Sequence, residues 1–344
     1  MNILPMFIPD VSLASKPNSD HEEHEKKILT LLSDSYKEKF TKFPREKGWM
    51  GEDVYMYQGY WYISDHAFSI ETVMAVQERF QAQSTDIYIV TQPKCGTTWI
   101  KALVFAIVNR TKYKNINPLN HPLKIYNPHK CVPFLETEII SIVPTYVHGN
   151  SPRLFSSHIP YRTLPKSILE SGCRLVYMCR NPKDALVSWF YFANKLTDKS
   201  RTQMTIGEML NVFVKGFLPY GPYWDHVKEY HKASSEDPTK ILFLTYEDMK
   251  VDTASKVKRL AEFLGFPFTE KEVANGVVDE IVTLCSFEIL KEVNKNGDYR
   301  KGMANNTFFR EGKVGGWRNY LTNEMTQILD DITMEKFHGL DISF

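Results

Sequence analysis

The chain has 344 residues, of which 43% are hydrophobic and 24% are charged, a composition that can bury a large core in one α/β domain or two smaller ones. Lys and Arg together number 42 against 41 for Asp and Glu, so no global basic field favours nucleic acid or an anionic membrane surface. The five cysteines are odd in number and lack CxxC spacing, which argues against a disulfide framework and a zinc site and favours a reducing compartment.

The first segment, MNILPMFIPDVSLASK, is apolar in patches but has no basic region ahead of a continuous apolar core. We expect a partly flexible N-terminal arm over residues 1–43, followed by one domain at 44–344. No run approaches the roughly 18 uninterrupted apolar residues that a membrane helix needs. The sequence therefore favours a cytoplasmic protein without a membrane partner.

The stretch DIYIVTQPKCGTTWIKALVFAIVNR, residues 86–110, predicts a strand, a turn and a helix. Asp86–Val90 is short, β-branched and aromatic, whereas Trp99–Asn109 is longer and rich in helix formers. The start of a helix presents unpaired N–H groups and the positive end of the helix dipole, and Gly96 lets the backbone approach an anion closely. With the ammonium of Lys94 and two hydroxyls, the turn resembles a phosphate-binding loop.

The turn is not a Walker A loop, because its lysine precedes its only glycine and no G-K-[ST] follows. The ends of the predicted strands also carry no Asp of the kind expected for magnesium. We therefore predict an anion site without a metal.

Strand-like runs begin three further segments, RLFSSHIP (153–160), CRLVYMCRNPKDALVSWFYFANK (173–195) and KILFLTYEDMKVDTASKVKRLAEFLG (240–265). The last two pass into helical patterns, one opening at Pro182 and one starting near Asp252 and closing at Gly265. Alternation of strand and helix predicts a single α/β domain with a central, mainly parallel β-sheet flanked by helices.

In such sheets, ligands bind beyond the carboxyl ends of the strands. Those ends carry Lys94, His158, Arg180 and Tyr246, and Ser188 follows Arg180 by about two helical turns. Because two of the strand-to-helix junctions are basic, we expect a ligand with two separate anionic groups, such as a nucleotide phosphorylated at two positions.

Three ordered segments resemble the nucleotide-binding motifs of the cytosolic sulfotransferases, most of all those of the plant branch. PKCGTTW is similar to the family's 5′-phosphosulfate loop, CRNPKDALVSWFYF to its 3′-phosphate segment, and FFREGKVGGWRNYLT to its C-terminal nucleotide-binding segment. The resemblance runs from about residue 44 to residue 322. It implies an enzyme that transfers the sulfuryl group of 3′-phosphoadenosine 5′-phosphosulfate (PAPS) to a small-molecule hydroxyl and releases 3′-phosphoadenosine 5′-phosphate (PAP).

The resemblance also implies which residues hold the nucleotide. The loop would hold the 5′-phosphosulfate, Arg180, Ser188 and Arg310 the 3′-phosphate, and Trp99 and Phe287 the adenine. The full set that it implies is Lys94, Cys95, Gly96, Thr97, Thr98, Trp99, Arg180, Ser188, Tyr246, Cys285, Phe287, Arg310, Glu311 and Gly312.

For catalysis, the resemblance implies direct in-line transfer with His158 as general base, without a metal or a covalent intermediate. A neutral imidazole near the ordinary pKa of about 6.5 can take the acceptor's proton at physiological pH. Lys94 would neutralise charge on the leaving phosphate, and Ser188 would restrain that lysine until the acceptor is present.

Four positions depart from the family's usual residues. Cys95 stands where Ser or Thr is usual, Ser156 where many animal members have Lys, and Gly316 where Asp is usual. Glu311 replaces a Lys beside the 3′-phosphate. Either Glu311 points to solvent, or, as we slightly favour, it lowers nucleotide affinity while Lys313 partly restores the charge.

For the acceptor, the resemblance implies an aromatic-rich cavity lined by Tyr126–Glu136, Met56–Trp61 and the region from Tyr220 to Tyr230. Such a cavity suits flavonoids, steroids, hydroxyjasmonates or related plant metabolites, and the sequence does not separate these classes. The animal dimer motif is not recognisable in RNYLTNEMTQ, so we expect a monomer or a weak homodimer.

Two other functions remain open from the residues alone. A metal-dependent phosphotransferase could use the same strand, loop and helix geometry. A catalytically weak nucleotide-binding homologue is suggested by Cys95, Ser156, Glu311 and Gly316, although a protein that only binds nucleotide has no use for His158 as a base.

Overall fold

The computed structural model describes most of the chain outside its N-terminal region. The described residues are 27–28, 30–31, 34–36, 38–39, 42–64, 66–114, 120–139, 152–197, 202–300 and 303–344. Much of the arm predicted at 1–43 therefore lies outside the described residues. Tyr36, one described position of that segment, is buried, and its hydroxyl donates to Glu78 at 2.5 Å.

The strands of the described residues form three sheets. An antiparallel sheet contains β1 (Arg45–Lys47), β2 (Asp53–Tyr57) and β3 (Tyr60–Ile63). The central sheet is parallel, has the order β5-β4-β6-β7, and contains β4 (Ile87–Thr91), β5 (Leu154–Ser157), β6 (Arg174–Cys179) and β7 (Ile241–Thr245). A small antiparallel pair contains β8 (Asp298–Arg300) and β9 (Met303–Ala304).

The central sheet is buried on both faces, as its apolar strands require. Successive side chains of a strand point to opposite faces, and in β4 they enter two different buried clusters. Tyr88 and Val90 belong to one cluster, whereas Ile87 and Ile89 belong to the other. This explains why β4 is an uninterrupted apolar run and not an alternating one.

Helices surround the central sheet and connect its strands. The α-helices are α1 (Ile70–Arg79), α2 (Thr97–Asn109), α3 (Pro128–Cys131), α4 (Leu135–Glu138), α5 (Lys166–Glu170), α6 (Pro182–Leu196), α7 (Ile206–Val214), α8 (Tyr223–Glu236), α9 (Tyr246–Val251), α10 (Thr253–Phe263), α11 (Glu270–Ala274), α12 (Val277–Leu284), α13 (Phe287–Val293) and α14 (Asn323–Lys336). Short 3-10 helices lie at Trp49–Gly51, Pro122–Lys124, Tyr161–Thr163, Asn305–Phe308 and Gly316–Asn319. Within the described parts of the chain, none of the helices has both the length and the apolar character needed to cross a bilayer.

The predicted α/β fold is confirmed, with small differences at the ends of elements. The helix predicted from Trp99 begins earlier, at Thr97, directly after Gly96. The helix predicted near Asp252 begins at Thr253, and the Asp252 carboxylate caps it by accepting from the Ser255 N–H at 3.0 Å. The sequence did not predict α9, which lies between β7 and that cap and starts at once after the strand.

All four central strands run in the same direction, so their carboxyl ends lie along one edge of the sheet. The residues that follow them, among them Lys94, His158, Arg180 and Tyr246, therefore share that edge. The convergence expected from the sequence is confirmed.

Candidate functional site

A cavity of about 720 Å³ opens at the carboxyl edge of the central sheet. Its wall contains thirteen of the fifteen residues predicted for the site, namely Lys94, Gly96, Thr97, Thr98, Trp99, His158, Arg180, Ser188, Tyr246, Phe287, Arg310, Glu311 and Gly312. The other two, Cys95 and Cys285, are fully buried and do not line the cavity. We call residues 93–99 with His158 the loop end of the cavity, and Arg180, Ser188 and Arg310 its arginine end.

The loop end depends on a left-handed turn before α2. Gly96 has φ of 95°, and a Cβ there would lie 2.7 Å from both Met178 Cε and Tyr246 Cδ2, so only glycine fits. Lys94 also has a positive φ, 71°, which is rare for a residue with a side chain and typical of functional sites. The turn aims the first residues of α2, Thr97 and Thr98, at the cavity.

Lys94 is a half-buried side chain in the cavity wall. Its Nζ lies 3.6 Å from the centroid of the Phe192 ring. The pKa of Lys94 is lowered to about 7, mainly by burial and in addition by the positive charges of Arg180 and Arg310. Among the described residues, no hydrogen bond joins Lys94 to Ser188, although both side chains line the same cavity. The restraint expected from Ser188 stays a prediction.

His158 is held in one orientation at the end of β5. Its Nδ1 lies 2.7 Å from the carbonyl oxygen of Thr91, which can only accept, so Nδ1 carries the proton. The lone pair is therefore on Nε2. The backbone N–H of His158 donates to Glu136 Oε1 at 2.8 Å, which fixes the residue at a second point.

The pKa of His158 differs from the ordinary value assumed from the sequence. Its pKa is lowered to about 3, mainly by burial; electrostatic interactions with Lys101, His226 and Lys94 contribute to the lowering, and the hydrogen bond to the Thr91 carbonyl opposes it. The imidazole is therefore neutral throughout the neutral pH range, and the expectation of a pKa near 6.5 is wrong for the protein without ligand.

The arginine end joins α6 to the C-terminal segment. Arg180 Nη2 donates to the carbonyl of Lys313 at 2.7 Å, and the hydroxyl of Tyr223 donates to the carbonyl of Arg180. Arg180 Nε is buried and has no hydrogen-bond partner among the described residues. A buried, unpaired guanidinium N–H is unfavourable unless a ligand accepts from it.

Asp184, which the sequence analysis did not single out, anchors the same segment. Its carboxylate accepts from the N–H groups of Gly315 at 2.7 Å and Trp317 at 3.0 Å, and it lies 3.9 Å from Arg180 Nη2. Its position one turn after Arg180 on α6 is a signal that could have found it.

The Glu311 carboxylate is paired with two neighbouring side chains and does not point freely into solvent. Its Oε1 lies 2.8 Å from Arg310 Nη1 and accepts from the hydroxyl of Tyr320 at 3.0 Å. A Cβ at Gly316 would lie 2.9 Å from Glu311 Oε2. Two departures from the family pattern are thus coupled, because Gly316 leaves the space that the Glu311 carboxylate occupies. Lys313 is exposed and does not line the cavity, so the expected compensation by its charge finds no structural support.

The predicted adenine residues also line the cavity. Trp99 and Tyr246 lie edge to face with ring centroids 5.3 Å apart. The hydroxyl of Tyr246 donates to the carbonyl of Gly312 at 2.9 Å. Gly312, with φ of 65°, lies so close to Phe287 that a Cβ would come within 2.5 Å of that ring. The C-terminal segment therefore packs directly on Tyr246 and Phe287.

Two other departures lie away from the cavity. Burial raises the pKa of the Cys95 thiol to about 12, and its backbone N–H donates to the carbonyl of Gln92 at 3.2 Å. The hydroxyl of Ser156 donates to the carbonyl of Pro133 at 3.1 Å. Neither side chain replaces a missing contact inside the cavity.

Beside His158, the cavity wall is aromatic. Ring centroids of Phe134, Tyr220 and Phe68 lie 5.0, 5.6 and 6.2 Å from that of His158. The expectation that Met56–Trp61 lines the cavity is wrong: no residue of that described segment is in the wall, which contains Ile63 at the end of β3 and then His66 and Phe68. Tyr60 and Trp61 of that segment are instead buried in the hydrophobic core.

Three buried polar residues at or behind the wall have contacts that the sequence did not predict. Glu136, expected to line an acceptor pocket, instead accepts hydrogen bonds from Ser157 and from the backbone of His158. His129 lines the cavity and lies beside the fully buried Lys101. A lysine inside the apolar run WIKALVFAI is a signal that could have drawn attention to this place.

No group of three or more His, Cys, Asp or Glu side chains suited to a metal ion occurs in the part of the chain that the structure describes. The Lys and Arg side chains of the cavity wall are Lys94, Arg180, Lys195, Lys250 and Arg310. The arrangement can bind a ligand with two anionic groups and present a neutral imidazole between aromatic rings.

Comparison with known proteins identifies the family to which the chain belongs. A family model described as a sulfotransferase domain matches residues 84–341. The curated protein Cytosolic sulfotransferase 13 of Arabidopsis thaliana is 43% identical over 320 residues, which cover 92% of this chain and 96% of that protein.

Solved structures share the fold. One is the crystal structure of an Arabidopsis thaliana protein described as a candidate steroid sulphotransferase. The two sequences are 35% identical, the match covers 99% of this chain and 100% of that chain, and the TM-score is 0.71. Mouse sulfotransferase SULT7A1 complexed with PAP is 24% identical, with 84% of this chain and 96% of that chain covered and a TM-score of 0.62. At that identity, the mouse structure establishes the common fold alone.

Proposed function

Since the chain belongs to the sulfotransferase family and is a sulfotransferase enzyme, we propose that it transfers the sulfuryl group of PAPS to the hydroxyl of a small apolar acceptor, with His158 as general base. The observation that carries the proposal is the orientation of His158. Its Nδ1 proton is held by the carbonyl of Thr91, which leaves the lone pair of Nε2 for a proton from the acceptor.

The residues of the cavity fit the nucleotide. PAPS carries anionic groups on its 5′ and 3′ sides, and the cavity has cations at both ends, Lys94 at one and Arg180 and Arg310 at the other. The unpaired Nε of Arg180 is an additional buried donor for the 3′-phosphate. Trp99 and Phe287 would hold the adenine. The complex of mouse SULT7A1 with PAP supports the same ligand for this fold.

When bound, PAPS supplies a sulfuryl group attached to a good leaving group. The residues of the chain do the rest. Lys94 places a positive charge where negative charge develops as the bond to sulfur breaks, and such stabilisation lowers the barrier if it is stronger in the transition state. His158 takes the proton of the attacking hydroxyl. A bound anion at the loop end would raise the low pKa of His158, because a negative charge favours the protonated form.

The aromatic wall around His158 favours an acceptor with an apolar, ring-containing body. Phe68, Phe134 and Tyr220 line the same cavity as His158, and their ring centroids lie within 6.2 Å of that of the imidazole. Flavonoids, steroids, hydroxyjasmonates and related plant metabolites meet this description. The name of the Arabidopsis structure refers to steroids and supports including them.

The test is an assay of purified protein with PAPS and a panel of such hydroxylated acceptors, in which both PAP and the sulfated acceptor are quantified. We expect equal amounts of the two products, without added metal. ATP with magnesium is the matched alternative donor. Phosphorylation of the acceptors at a comparable rate, without sulfation, would contradict the proposal and favour a phosphotransferase.

A further inference from the structure

A line of three hydrogen-bonding side chains runs from the interior of α2 to the cavity wall. Lys101, which has no solvent-exposed surface, places its Nζ 3.0 Å from His129 Nδ1. His129 Nε2 lies 3.2 Å from Thr98 Oγ1. Thr98 is in the first turn of α2 and lines the cavity at the loop end. The proposed catalytic steps give Lys101 and His129 no role.

The direction of these hydrogen bonds follows from the surroundings of Lys101. Its Nζ lies 3.2 Å from the centroid of the Phe134 ring, an arrangement that favours a cation over the ring face. Burial lowers the pKa of Lys101 well below its ordinary value, whereas the charge of Glu136 acts in the opposite sense. An ammonium has no lone pair and can only donate.

If Lys101 donates, the remaining protons of the line are determined. His129 Nδ1 must accept, so the neutral imidazole carries its proton on Nε2. Burial and the charge of Lys101 lower the pKa of His129 well below its ordinary value, consistent with a neutral ring. Nε2–H then donates to Thr98 Oγ1. The hydroxyl proton of Thr98 is not used within the line and can point into the cavity.

We propose that Lys101 and His129 are positioning residues that hold Thr98 as a hydrogen-bond donor to the 5′-phosphate of the nucleotide. This inference rests on the proposed function, since it takes the nucleotide's 5′ side to lie at the loop end. Without Lys101, His129 can adopt the other tautomer and accept from Thr98, which would turn the hydroxyl proton away from the ligand. The line thus removes a competing orientation before the ligand arrives.

The neighbouring Thr97 provides a matched control. Its Oγ1 lies 2.6 Å from Thr91 Oγ1, and no hydrogen bond among the described residues connects it to His129. Both threonines are in the first turn of α2 and line the same cavity. An effect transmitted through His129 should reach Thr98 and spare Thr97.

The experiment is a double-mutant cycle with Thr98→Val and Lys101→Met, in which the dissociation constant of PAP is measured by calorimetry. Thr98→Val should weaken binding about 10- to 100-fold, as expected for a lost hydrogen bond to a charged group. Lys101→Met should weaken it by a smaller factor, and adding it to Thr98→Val should cause no further loss. The coupling should lie between about 2- and 100-fold. The cycle of Lys101→Met with Thr97→Val should be additive.

Two further measurements separate positioning from general damage to the fold. Adenosine 3′-phosphate lacks the 5′-phosphate, so neither Thr98→Val nor Lys101→Met should weaken its binding. In the unmodified protein, nitrogen NMR of His129 should show the proton on Nε2. This measurement does not depend on whether Lys101→Met folds.

An additive double-mutant cycle between Lys101 and Thr98, or a His129 proton on Nδ1, would overturn the positioning role. If the unmodified protein still binds PAP, the proposed function is not affected by that result. No binding of PAP by the unmodified protein would instead overturn the proposed function together with the ligand assigned to Thr98.

Discussion

The two ends of the cavity are built in different ways. At the loop end, residues 93–99 are contiguous, and the turn between β4 and α2 presents Lys94, Thr97 and Thr98 together. At the arginine end, Arg180 and Arg310 are distant in sequence. They meet because the C-terminal segment is fastened to α6 by Asp184 and by the bond from Arg180 to the Lys313 carbonyl.

This difference in construction suits the two ends to different functions, catalysis and recognition of the nucleotide. A short turn holds its groups rigidly relative to each other and to His158, which suits the reacting atoms. A site assembled from separate segments binds the ligand only when those segments are in contact, which suits recognition. We therefore expect His158, at the loop end, to act mainly on turnover, and the anion-binding residues of both ends, Thr98 and Arg180 among them, to act mainly on nucleotide affinity.

The largest expected effect is that of His158→Ala at the loop end. Loss of a general base typically lowers kcat by about 10²- to 10⁴-fold, whereas PAP binding should be nearly unchanged because the imidazole acts on the acceptor. Steady-state kinetics and calorimetry of the same preparations measure the two effects. Loss of PAP binding together with activity would assign His158 a structural role and contradict its assignment as general base.

At the arginine end, Arg180→Ala should weaken PAP about 10- to 100-fold, the size expected for lost hydrogen bonds to a charged group. Adenosine 5′-phosphate lacks the 3′-phosphate and should bind the variant about as well as it binds the unmodified protein. Calorimetry with both ligands is the measurement. Equal weakening of both would mean that the variant disturbs the whole cavity.

Lys94 predicts a pH dependence at the loop end. Its pKa is about 7 without ligand, and an anionic ligand favours the ammonium and raises that pKa. PAP affinity should therefore be highest below pH 7 and fall as pH rises, by at most about tenfold per pH unit. Calorimetry in buffers of different ionisation enthalpy should show proton uptake on binding above pH 7.

Lys94→Met is the control for this dependence, because it removes the titrating group. His158, with a pKa of about 3, does not titrate in the same range. A proton uptake that persists in Lys94→Met would assign the dependence to another group and contradict this prediction.

The smallest expected effect concerns Glu311. Its carboxylate lies beside Arg310 and weakens the positive field that a 3′-phosphate would meet. Glu311→Gln should tighten PAP about fivefold, which corresponds to about 1 kcal/mol for unit charges 4 Å apart in water. The gain should shrink as salt increases through screening.

Lys313→Ala serves as the comparison in the same segment. Since Lys313 is exposed outside the cavity wall, its removal should have a smaller effect than Glu311→Gln. A larger effect would support the charge compensation expected from the sequence.

The sequence alone was sufficient to predict the fold class and the turn between β4 and α2. The apolar run of β4, the turn with Gly96 and the helix formers of α2 are local patterns, and local backbone geometry follows from them. Ligands bind at the carboxyl edge of a parallel sheet, and this rule was enough to predict that Lys94, His158, Arg180 and Tyr246 share one site.

The tertiary structure decided the features that depend on packing between distant segments. The low pKa of His158 comes from burial by side chains of several elements, and the pairing of Glu311 with Arg310 needs the space left at Gly316. Likewise, Lys101 and His129 meet only because α2 packs against α3. Burial and pairing of charges depend on which surfaces meet in space, and local sequence patterns do not contain that information.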